Sequence, residues 1–213
     1  MTDDVTPALL LRAYAAGLFP MAETRLDPDI RWVEPRLRGV MPLDKFHISR
    51  SLRQRISTWN CTIRTNTDFA GVVDGCADRP ETWISARIRA LYLDLHAQGH
   101  AHSLEVWESG ALVGGTYGVV LGRAYFGESM FSRRPDASKV ALAWLTHRLR
   151  AGGFALFDTQ FLTPHLASLG GIEVPRATYQ RLLATAVQGR ATFDPPGYGA
   201  TAAEVSQRNT QTS

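Results

Sequence analysis

The pattern of apolar and polar positions predicts an antiparallel sheet in the middle of the chain. Residues 102–107 and 111–121 alternate strongly and meet at a Ser-Gly pair, which is typical of a hairpin. Residues 123–128 alternate in the same way and predict a third strand beside the hairpin. A continuous apolar run at 154–157 predicts a further, buried strand over 154–160.

Helical spacing of apolar residues predicts helices before and after these strands. The predicted helices span residues 5–16, 67–76, 85–98, 137–151 and 175–187, and residues 61–65 predict one more strand. Ser49 is a candidate N-cap for a short helix that carries three arginines. Helices, then an antiparallel meander, then a helix and a strand indicate an α+β fold and not a regularly alternating doubly wound sheet.

Composition divides the chain into three expected parts. The 213 residues are enough for one buried core with a small appendage. Residues 24–36 are rich in Pro, Asp and Arg and predict an irregular connection, so we expect a small N-terminal domain over 1–35 and a main domain over 36–198. Residues 199–213 are mostly small or polar, which predicts a disordered tail.

Charge and apolar segments narrow the possible partners. The formal net charge is +3, which permits an RNA partner without requiring one, and Arg50, Arg53 and Arg55 cluster with no acid among them. No apolar stretch approaches the ~20 residues of a membrane span, and the N-terminus lacks the pattern of a secretion signal. We therefore expect a cytoplasmic protein whose two isolated cysteines are reduced thiols.

Two polar side chains end the predicted strand at 154–160. Asp158 and Gln160 lie two residues apart, so a regular strand directs them to the same face. They can face a cleft, or the aspartate can be satisfied within the fold, and the sequence favours neither.

Metal and hydrolase chemistry have weaker support. His96, His100 and His102 lack a fourth zinc ligand nearby, and Phe131 stands where a nucleophile elbow needs glycine.

Large apolar side chains from several predicted elements are candidates either for the core or for an apolar pocket that binds a side chain or a base. They are Trp83, Tyr117, Tyr125, Met130, Phe131, Trp144 and Phe157.

Long, unusual motifs give the chain a specific resemblance. They are Ala13-Tyr14-Ala-Ala-Gly17-Leu-Phe19-Pro20, His47-Ile-Ser49-Arg50-Ser51, Thr82-Trp83-Ile84, Gly99-His100-Ala-His102-Ser103-Leu-Glu105-Val-Trp107, Gly127-Glu128-Ser129-Met130-Phe131-Ser132-Arg133 and Ala167-Ser168-Leu169-Gly170. With Asp158 and Gln160 they resemble the leucyl/phenylalanyl-tRNA–protein transferases, in that family's order, over residues 9–190.

This resemblance implies a fold and an activity. The implied main domain resembles the acyltransferase fold of acetyl-CoA N-acetyltransferases, a mixed sheet flanked by helices, behind a shortened N-terminal domain. The implied reaction moves Leu or Phe, with Met as a third candidate, from aminoacyl-tRNA to a protein that begins with Arg or Lys. The product carries an N-degron for bacterial proteolysis. No cofactor or metal is implied, and we expect a monomer.

The resemblance also assigns residues. Asp158, Gln160 and Glu128 match residues of the catalytic site, with Glu128 a candidate to attract the acceptor's cationic side chain. Trp83 matches a tryptophan at the aminoacyl-adenosine end, and Arg50, with Arg53 and Arg55 beside it, matches the tRNA-binding surface. The implied apolar pocket consists of Tyr125, Met130, Leu142, Leu145 and Phe157.

Three substrate-site positions depart from the family pattern and put the amino-acid preference in question. Met21 stands where Trp is common, Thr116 replaces Met, and Leu145 replaces an aromatic residue found in some members.

Two alternative functions stay open. An acetyl-CoA acetyltransferase would share the fold, but Asp136 stands where its pyrophosphate loop needs glycine. A non-catalytic RNA-binding module would need the arginines but not Asp158 and Gln160.

Overall fold

A computed structural model describes residues 5–207 of the chain. Its helices are α1 (Pro7–Ala15), α2 (Arg50–Thr58), α3 (Phe69–Ala77), α4 (Ala86–Ala97), α5 (Ala137–Ala151), α6 (Pro164–Ser168), α7 (Arg176–Val187) and α8 (Ala202–Ser206). Its strands are β1 (Phe19–Met21), β2 (Arg31–Val33), β3 (Leu37–Val40), β4 (Thr62–Thr65), β5 (Ala101–Glu108), β6 (Ala111–Leu121), β7 (Ala124–Ser132), β8 (Leu156–Gln160) and β9 (Ile172–Pro175).

A seven-stranded sheet of order β4-β5-β6-β7-β8-β3-β9 forms the centre of the protein. Its neighbours pair antiparallel except for β7 and β8, which are parallel and connected by α5. Strands β1 and β2 form a separate two-stranded sheet. The α+β prediction is confirmed, as is the predicted hairpin, whose turn residues Ser109 and Gly110 both have positive φ.

Apolar side chains cover both faces of the large sheet. On one face α1, α3, α4 and α7 pack around buried residues such as Tyr14, Tyr92 and Tyr117. On the other face α2 and α5 pack around Leu52, Leu142 and their neighbours. The five longer helices predicted from spacing are present, and Ser49 caps α2 by accepting a hydrogen bond from the Leu52 amide.

Two expectations about irregular segments need correction. Residues 24–36, expected to lack regular structure, contain β2, which pairs with β1 through Pro20 and Trp32. Within the tail expected to be disordered from residue 199, α8 forms at a capping box between Thr201 and Glu204, and Val205 is buried. The remainder of that expectation, residues 208–213, lies outside the described part of the chain, as do residues 1–4 of the expected N-terminal domain.

The two parallel strands separate after a short paired stretch. Strands β7 and β8 pair from Ala124↔Leu156 to Phe126↔Asp158, and both continue beyond that point. A cavity opens where they part, and it is lined by residues from the ends of both strands that no longer pair with each other.

Candidate active site

The cavity between β7 and β8 has a volume of about 290 Å³. It has an apolar side and a polar end. Residues from six segments line it: Arg79, Trp83, Thr116, Gly127, Glu128, Ser129, Met130, Leu142, Phe157, Thr159, Gln160, Phe161, Thr163, His165 and Leu166. Enclosed, mostly apolar cavities with a few polar groups are the usual form of a small-ligand site.

Half of the predicted site residues meet in this cavity. Trp83, Thr116, Met130, Leu142 and Phe157 line it together with Glu128 and Gln160. The Thr116 hydroxyl does not offer a free donor to a ligand, because it donates to the backbone carbonyl of Ser129 at 2.9 Å.

Other predicted pocket residues lie behind the cavity lining. Tyr125 and Leu145 are fully buried in the core, where the Tyr125 ring packs edge-on against Phe157 with centroids 5.3 Å apart. Met21 lies on β1 and packs against the core on the opposite face of the sheet from Leu145. These three residues can influence the cavity only through the side chains that line it.

Asp158 is completely buried and does not line the cavity. The Arg38 guanidinium donates to both of its oxygens, from Nε at 2.9 Å and from Nη2 at 2.7 Å. The Tyr179 hydroxyl donates to Oδ2 at 2.6 Å, and the backbone amide of Gln160 donates to Oδ1 at 2.8 Å. Of the two alternatives that the sequence left open, Asp158 takes the second, because it points into the fold and only Gln160 reaches the cavity. The expectation that a regular strand directs both side chains to the same face is wrong.

Gln160 has a backbone conformation that a strand residue rarely adopts. Its φ is +62°, in the left-handed region, and this breaks the alternation that would direct it beside Asp158. The hydrogen bond from its amide to Asp158 holds this conformation. Its side-chain Nε2 is buried and forms no hydrogen bond of normal geometry among the described residues. The Gln160 side chain nevertheless lies close enough to the Glu128 carboxylate to lower its pKa. A buried donor without a partner is costly, which is typical of a group that meets a ligand.

Glu128 is the only predicted catalytic carboxylate that lines the cavity, and it is 8% exposed. The hydroxyls of Tyr14 and Tyr92 donate to its two oxygens at 2.7 and 2.6 Å. Burial raises the pKa of Glu128 to about 7, against the lowering effect of these hydrogen bonds. Within residues 5–207 Glu128 forms no ion pair.

The three predicted tRNA-binding arginines lie on α2. Arg50 is exposed, and Arg53 and Arg55 are partly buried, with Arg55 stacked on Trp59 at 3.8 Å. None of the three forms an ion pair within the described part of the chain. The segment before α2 is held near the cavity, because the His47 amide donates to Leu169, just after the cavity-lining α6.

Sequence patterns missed several residues of the site. Arg79 crosses the cavity rim, where its Nη2 donates to Ser129 Oγ at 3.2 Å and to the Met130 carbonyl at 3.1 Å. Helix α6, which brings His165 and Leu166 to the cavity, begins with a Thr163 cap and a proline, a helix-start signal that could have been recognised. Arg38 and Tyr92 gave no sequence signal, because their partners are far away in the chain. Tyr14 lies in one of the motifs that carry the resemblance, but no role was assigned to it.

The histidines considered as zinc ligands have other contacts. His96 stacks on Phe69 and contacts the Ala101 carbonyl at 2.8 Å, while His102 stacks on Phe193. Among the described residues no group of three or more His, Cys, Asp or Glu side chains is arranged to hold a metal ion. The same residues include no helix long and apolar enough to cross a membrane.

The fold and the cavity define an α+β protein with a carboxylate-bearing, largely apolar site at the parting of two parallel strands. Residues 40–184 match the family described as leucyl/phenylalanyl-tRNA protein transferase, and residues 3–36 match the N-terminal domain of that family. The chain therefore belongs to the leucyl/phenylalanyl-tRNA–protein transferase family, which confirms the resemblance found in the sequence and the prediction of an aminoacyltransferase.

Individual relatives agree with this membership. A leucyl/phenylalanyl-tRNA–protein transferase of Cereibacter sphaeroides is 68% identical, with 98% of each chain covered. One of Ruegeria pomeroyi is 60% identical and covers 97% of this chain and 98% of its own. Among solved structures, that of FemX has a TM-score of 0.53 at 13% identity, over 81% of this chain and 68% of its own, which indicates a shared fold only.

Proposed function

We propose that the chain transfers Leu or Phe, and Met as a third substrate, from aminoacyl-tRNA to the N-terminal Arg or Lys of an acceptor protein. The observation that carries this proposal is the cavity itself. Apolar side chains such as Leu142, Phe157 and Leu166 line one side, and Glu128 and Gln160 stand at the other. An unbranched-Cβ apolar side chain fits the first region, and the reacting ester fits the second.

The reaction is the aminolysis of an ester. A neutral amine attacks the aminoacyl carbonyl, negative charge develops on the carbonyl oxygen, and the tRNA oxygen leaves. The unpartnered Nε2 of Gln160 can donate to that oxygen as its charge grows. Asp158 acts as a positioning residue, because it fixes the left-handed conformation of Gln160 through the backbone amide. Placing two substrates in one site supplies much of the acceleration.

The arginines of α2 are proposed to bind the tRNA backbone. Arg50, Arg53 and Arg55 form no ion pair within residues 5–207, and only Arg55 lies near an acid, Glu108, which itself pairs with Arg134, so their charge is available for phosphates. Their helix begins close to the cavity through the contact between His47 and Leu169. Trp83, which lines the cavity, is proposed to contact the terminal adenosine by stacking.

The same proposal covers the type of fold, the domain boundaries, the oligomeric state and the cellular location. We place an acetyltransferase-like core over 36–198 and a small domain over 1–35, acting as a monomer in the cytoplasm within an N-degron pathway. An acetyl-CoA reaction is disfavoured at the start of α5. Asp136 occupies the cap position there and pairs with Lys139 at 2.7 Å, so a carboxylate stands where pyrophosphate would bind.

The test is direct transfer. The purified protein is incubated with radiolabelled leucyl-tRNA and a test protein that begins with Arg, and peptide-bound label is measured. A matched test protein that begins with Ala is the control. Label on the Arg protein alone is the expected result. Label on neither protein, or acetyl transfer from acetyl-CoA, would contradict the proposal.

A further inference from the structure

Three buried oxygen-bearing side chains meet at the polar end of the cavity. Tyr14 comes from α1, Tyr92 from α4 and Glu128 from β7, and all three are at most 8% exposed. The two hydroxyls lie 2.9 Å apart, and each donates to a different oxygen of Glu128, at 2.7 and 2.6 Å. We call this closed set of contacts the Glu128 triangle.

The Glu128 triangle has room for one more proton than it holds when the carboxylate is ionised. Each tyrosine supplies one proton, so two protons serve three oxygen–oxygen contacts. Both protons then point to the carboxylate oxygens, and no proton lies between the two hydroxyl oxygens. If Glu128 is protonated, three protons serve three contacts: the carboxyl hydroxyl donates to one tyrosine, that tyrosine donates to the other, and the second tyrosine donates to the remaining carboxyl oxygen. The geometry therefore accommodates the acid form of Glu128 as well as the carboxylate.

The surroundings of Glu128 do not hold it in the charged form. Within residues 5–207 no cation pairs with it, since Arg38, the buried cation from β3, donates to Asp158 and to the Gly17 carbonyl. The Gln160 side chain on β8 also faces it and favours the carboxylate, but it is a neutral amide. The other groups that face it are the carboxylate of Asp158 on β8, the buried hydroxyls of Tyr117 and Tyr125, and Arg79 at the rim, which donates to backbone and serine oxygens. Burial raises the pKa of Glu128 to about 7. A base titrating near the working pH is the most effective proton acceptor.

We propose that the Glu128 triangle takes the proton released by the attacking amine and returns it to the departing tRNA oxygen. This inference rests on the proposed transfer reaction. The amine nitrogen forms a bond to the aminoacyl carbon while one of its protons passes to the Glu128 carboxylate. The ester carbon–oxygen bond then breaks, and the Glu128 carboxyl donates that proton to the ribose oxygen. The products are an amide and a free hydroxyl, and no further reactant is needed.

This role differs measurably from attraction of the acceptor's cationic side chain. A carboxylate that only attracts the acceptor affects KM and leaves the rate at saturating acceptor unchanged. A carboxylate that takes the proton affects the saturated rate. Glu128→Gln keeps the shape of the side chain but can neither take up a proton nor return it, so it separates the two roles.

The experiment is single-turnover transfer from leucyl-tRNA at saturating acceptor between pH 5.5 and 8.5, normalised to folded protein. Two Arg-starting peptides with different α-amino pKa values are used. If the midpoint of a limb of the pH profile differs between the two peptides, that limb reports the peptide amine. If the midpoint is the same for both peptides, the limb reports a group of the enzyme. The unmodified protein is expected to show a stationary limb in which the rate falls with decreasing pH, because protonated Glu128 cannot accept.

The variants give the expected shifts. Glu128→Gln should lose the stationary limb and fall about 10²–10⁴-fold in saturated rate at pH 7.5. Tyr92→Phe and Tyr14→Phe should each move the limb upward by about one pH unit, because a hydroxyl hydrogen bond favours the carboxylate over the acid. Tyr117→Phe is the matched control, since its buried hydroxyl has no hydrogen-bond partner, and its limb should not move.

Two results would overturn the inference. If Glu128→Gln keeps the saturated rate while KM rises, Glu128 attracts the acceptor and does not take the proton. If the stationary limb is unaffected by Tyr92→Phe and Tyr14→Phe, the Glu128 triangle is not the titrating group. An unmodified protein that transfers nothing at any pH would contradict the proposed function, and this inference with it.

Discussion

Two buried carboxylates at the parting of β7 and β8 have opposite surroundings. Asp158, on β8, receives four hydrogen bonds, two of them from the Arg38 guanidinium. Glu128, on β7, accepts from two tyrosine hydroxyls and lies beside the neutral Gln160 side chain, but it has no cation partner among the described residues, and burial raises its pKa to about 7. A buried carboxylate that is fully paired holds the fold in place, whereas one without a cation remains able to change its protonation state.

Strand pairing explains how neighbouring positions come to differ. Asp158 pairs with Phe126 at the last paired position of β7 and β8, so the sheet and α7 enclose it. Glu128 lies beyond that position, where β7 has left β8 and its side chain meets the cavity. The same separation releases Gln160, whose backbone Asp158 still holds.

The largest difference between the two carboxylates is expected when Asp158 is replaced, in Asp158→Ala. Removal of one partner of a buried ion pair leaves the Arg38 charge uncompensated, which should lower the free energy of unfolding by about 3–5 kcal/mol. Because Gln160 also loses its backbone anchor, transfer per folded molecule should fall by about 10²–10⁴-fold, while binding of leucyl-tRNA changes much less. Denaturant unfolding and single-turnover transfer measure the two effects.

Asp158→Asn and Gln160→Ala sharpen that result. A small loss of transfer rate in Asp158→Asn would mean that hydrogen bonding by residue 158 suffices. A large loss would mean that its negative charge is required. Because the two residues act as a unit, the double variant Asp158→Ala/Gln160→Ala should transfer no more slowly than about the worse single variant. Wild-type transfer by folded Asp158→Ala would mean that Asp158 supports only stability.

The second contrast is the pH dependence of stability. The folded-state pKa of Glu128 is raised, so the folded protein binds more protons than the unfolded chain between pH 4.5 and about 7. Stability should therefore decrease as pH rises through that window, by up to about 1.4 kcal/mol per pH unit from this group. Unfolding free energies at pH 5 and pH 7.5 should show this decrease in the unmodified protein and a smaller one in Glu128→Gln. Equal decreases would mean that Glu128 ionises normally.

A third change leaves both carboxylates intact and tests whether tRNA binding is separable from them. Arg53→Ala with Arg55→Ala should weaken binding of charged and uncharged tRNA alike. Each lost phosphate contact should flatten the slope of log K against log salt by about 0.7–0.9. Titrations at several salt concentrations measure the slope, and an unchanged slope would move the RNA surface elsewhere. The saturated transfer rate should stay within about twofold.

The smallest effect is expected on the apolar side of the cavity. Thr116→Met adds volume to the lining and should disfavour Phe relative to Leu by about 1–3 kcal/mol. Thr116→Val is the control, because it removes the hydroxyl that donates to Ser129 and nearly keeps the volume. Competition among charged tRNAs measures the preference, and Val and Ile should be poor substrates of the unmodified protein. A preference for Val would contradict the proposed pocket.

The sequence predicted those parts of the fold whose periodicity is long. Helix α5 and the β5–β6 hairpin follow directly from apolar spacing. The strands β3 and β9 were missed because each has four residues and lacks the alternating burial of the equally short β4, which was predicted. Helix α8 was missed because the composition of the tail outweighed its capping box at Thr201.

The sequence identified several residues of the site, but it could not show which side chains contact one another there. The resemblance identified Glu128, Gln160 and Trp83, which all line the cavity. It could not show that Asp158 turns away, because that depends on Arg38, 120 residues distant, and on the positive φ of Gln160. The tyrosines around Glu128 come from helices whose spacing predicts only burial.

The most direct measurement is a crystal structure with a non-hydrolysable amide analogue of leucyl-adenosine. We predict that the leucyl side chain contacts Leu142 and Phe157, and that its carbonyl lies between Glu128 and Gln160, with Asp158 unchanged against Arg38. An analogue bound outside this cavity, or one whose carbonyl contacts neither Glu128 nor Gln160, would contradict the account.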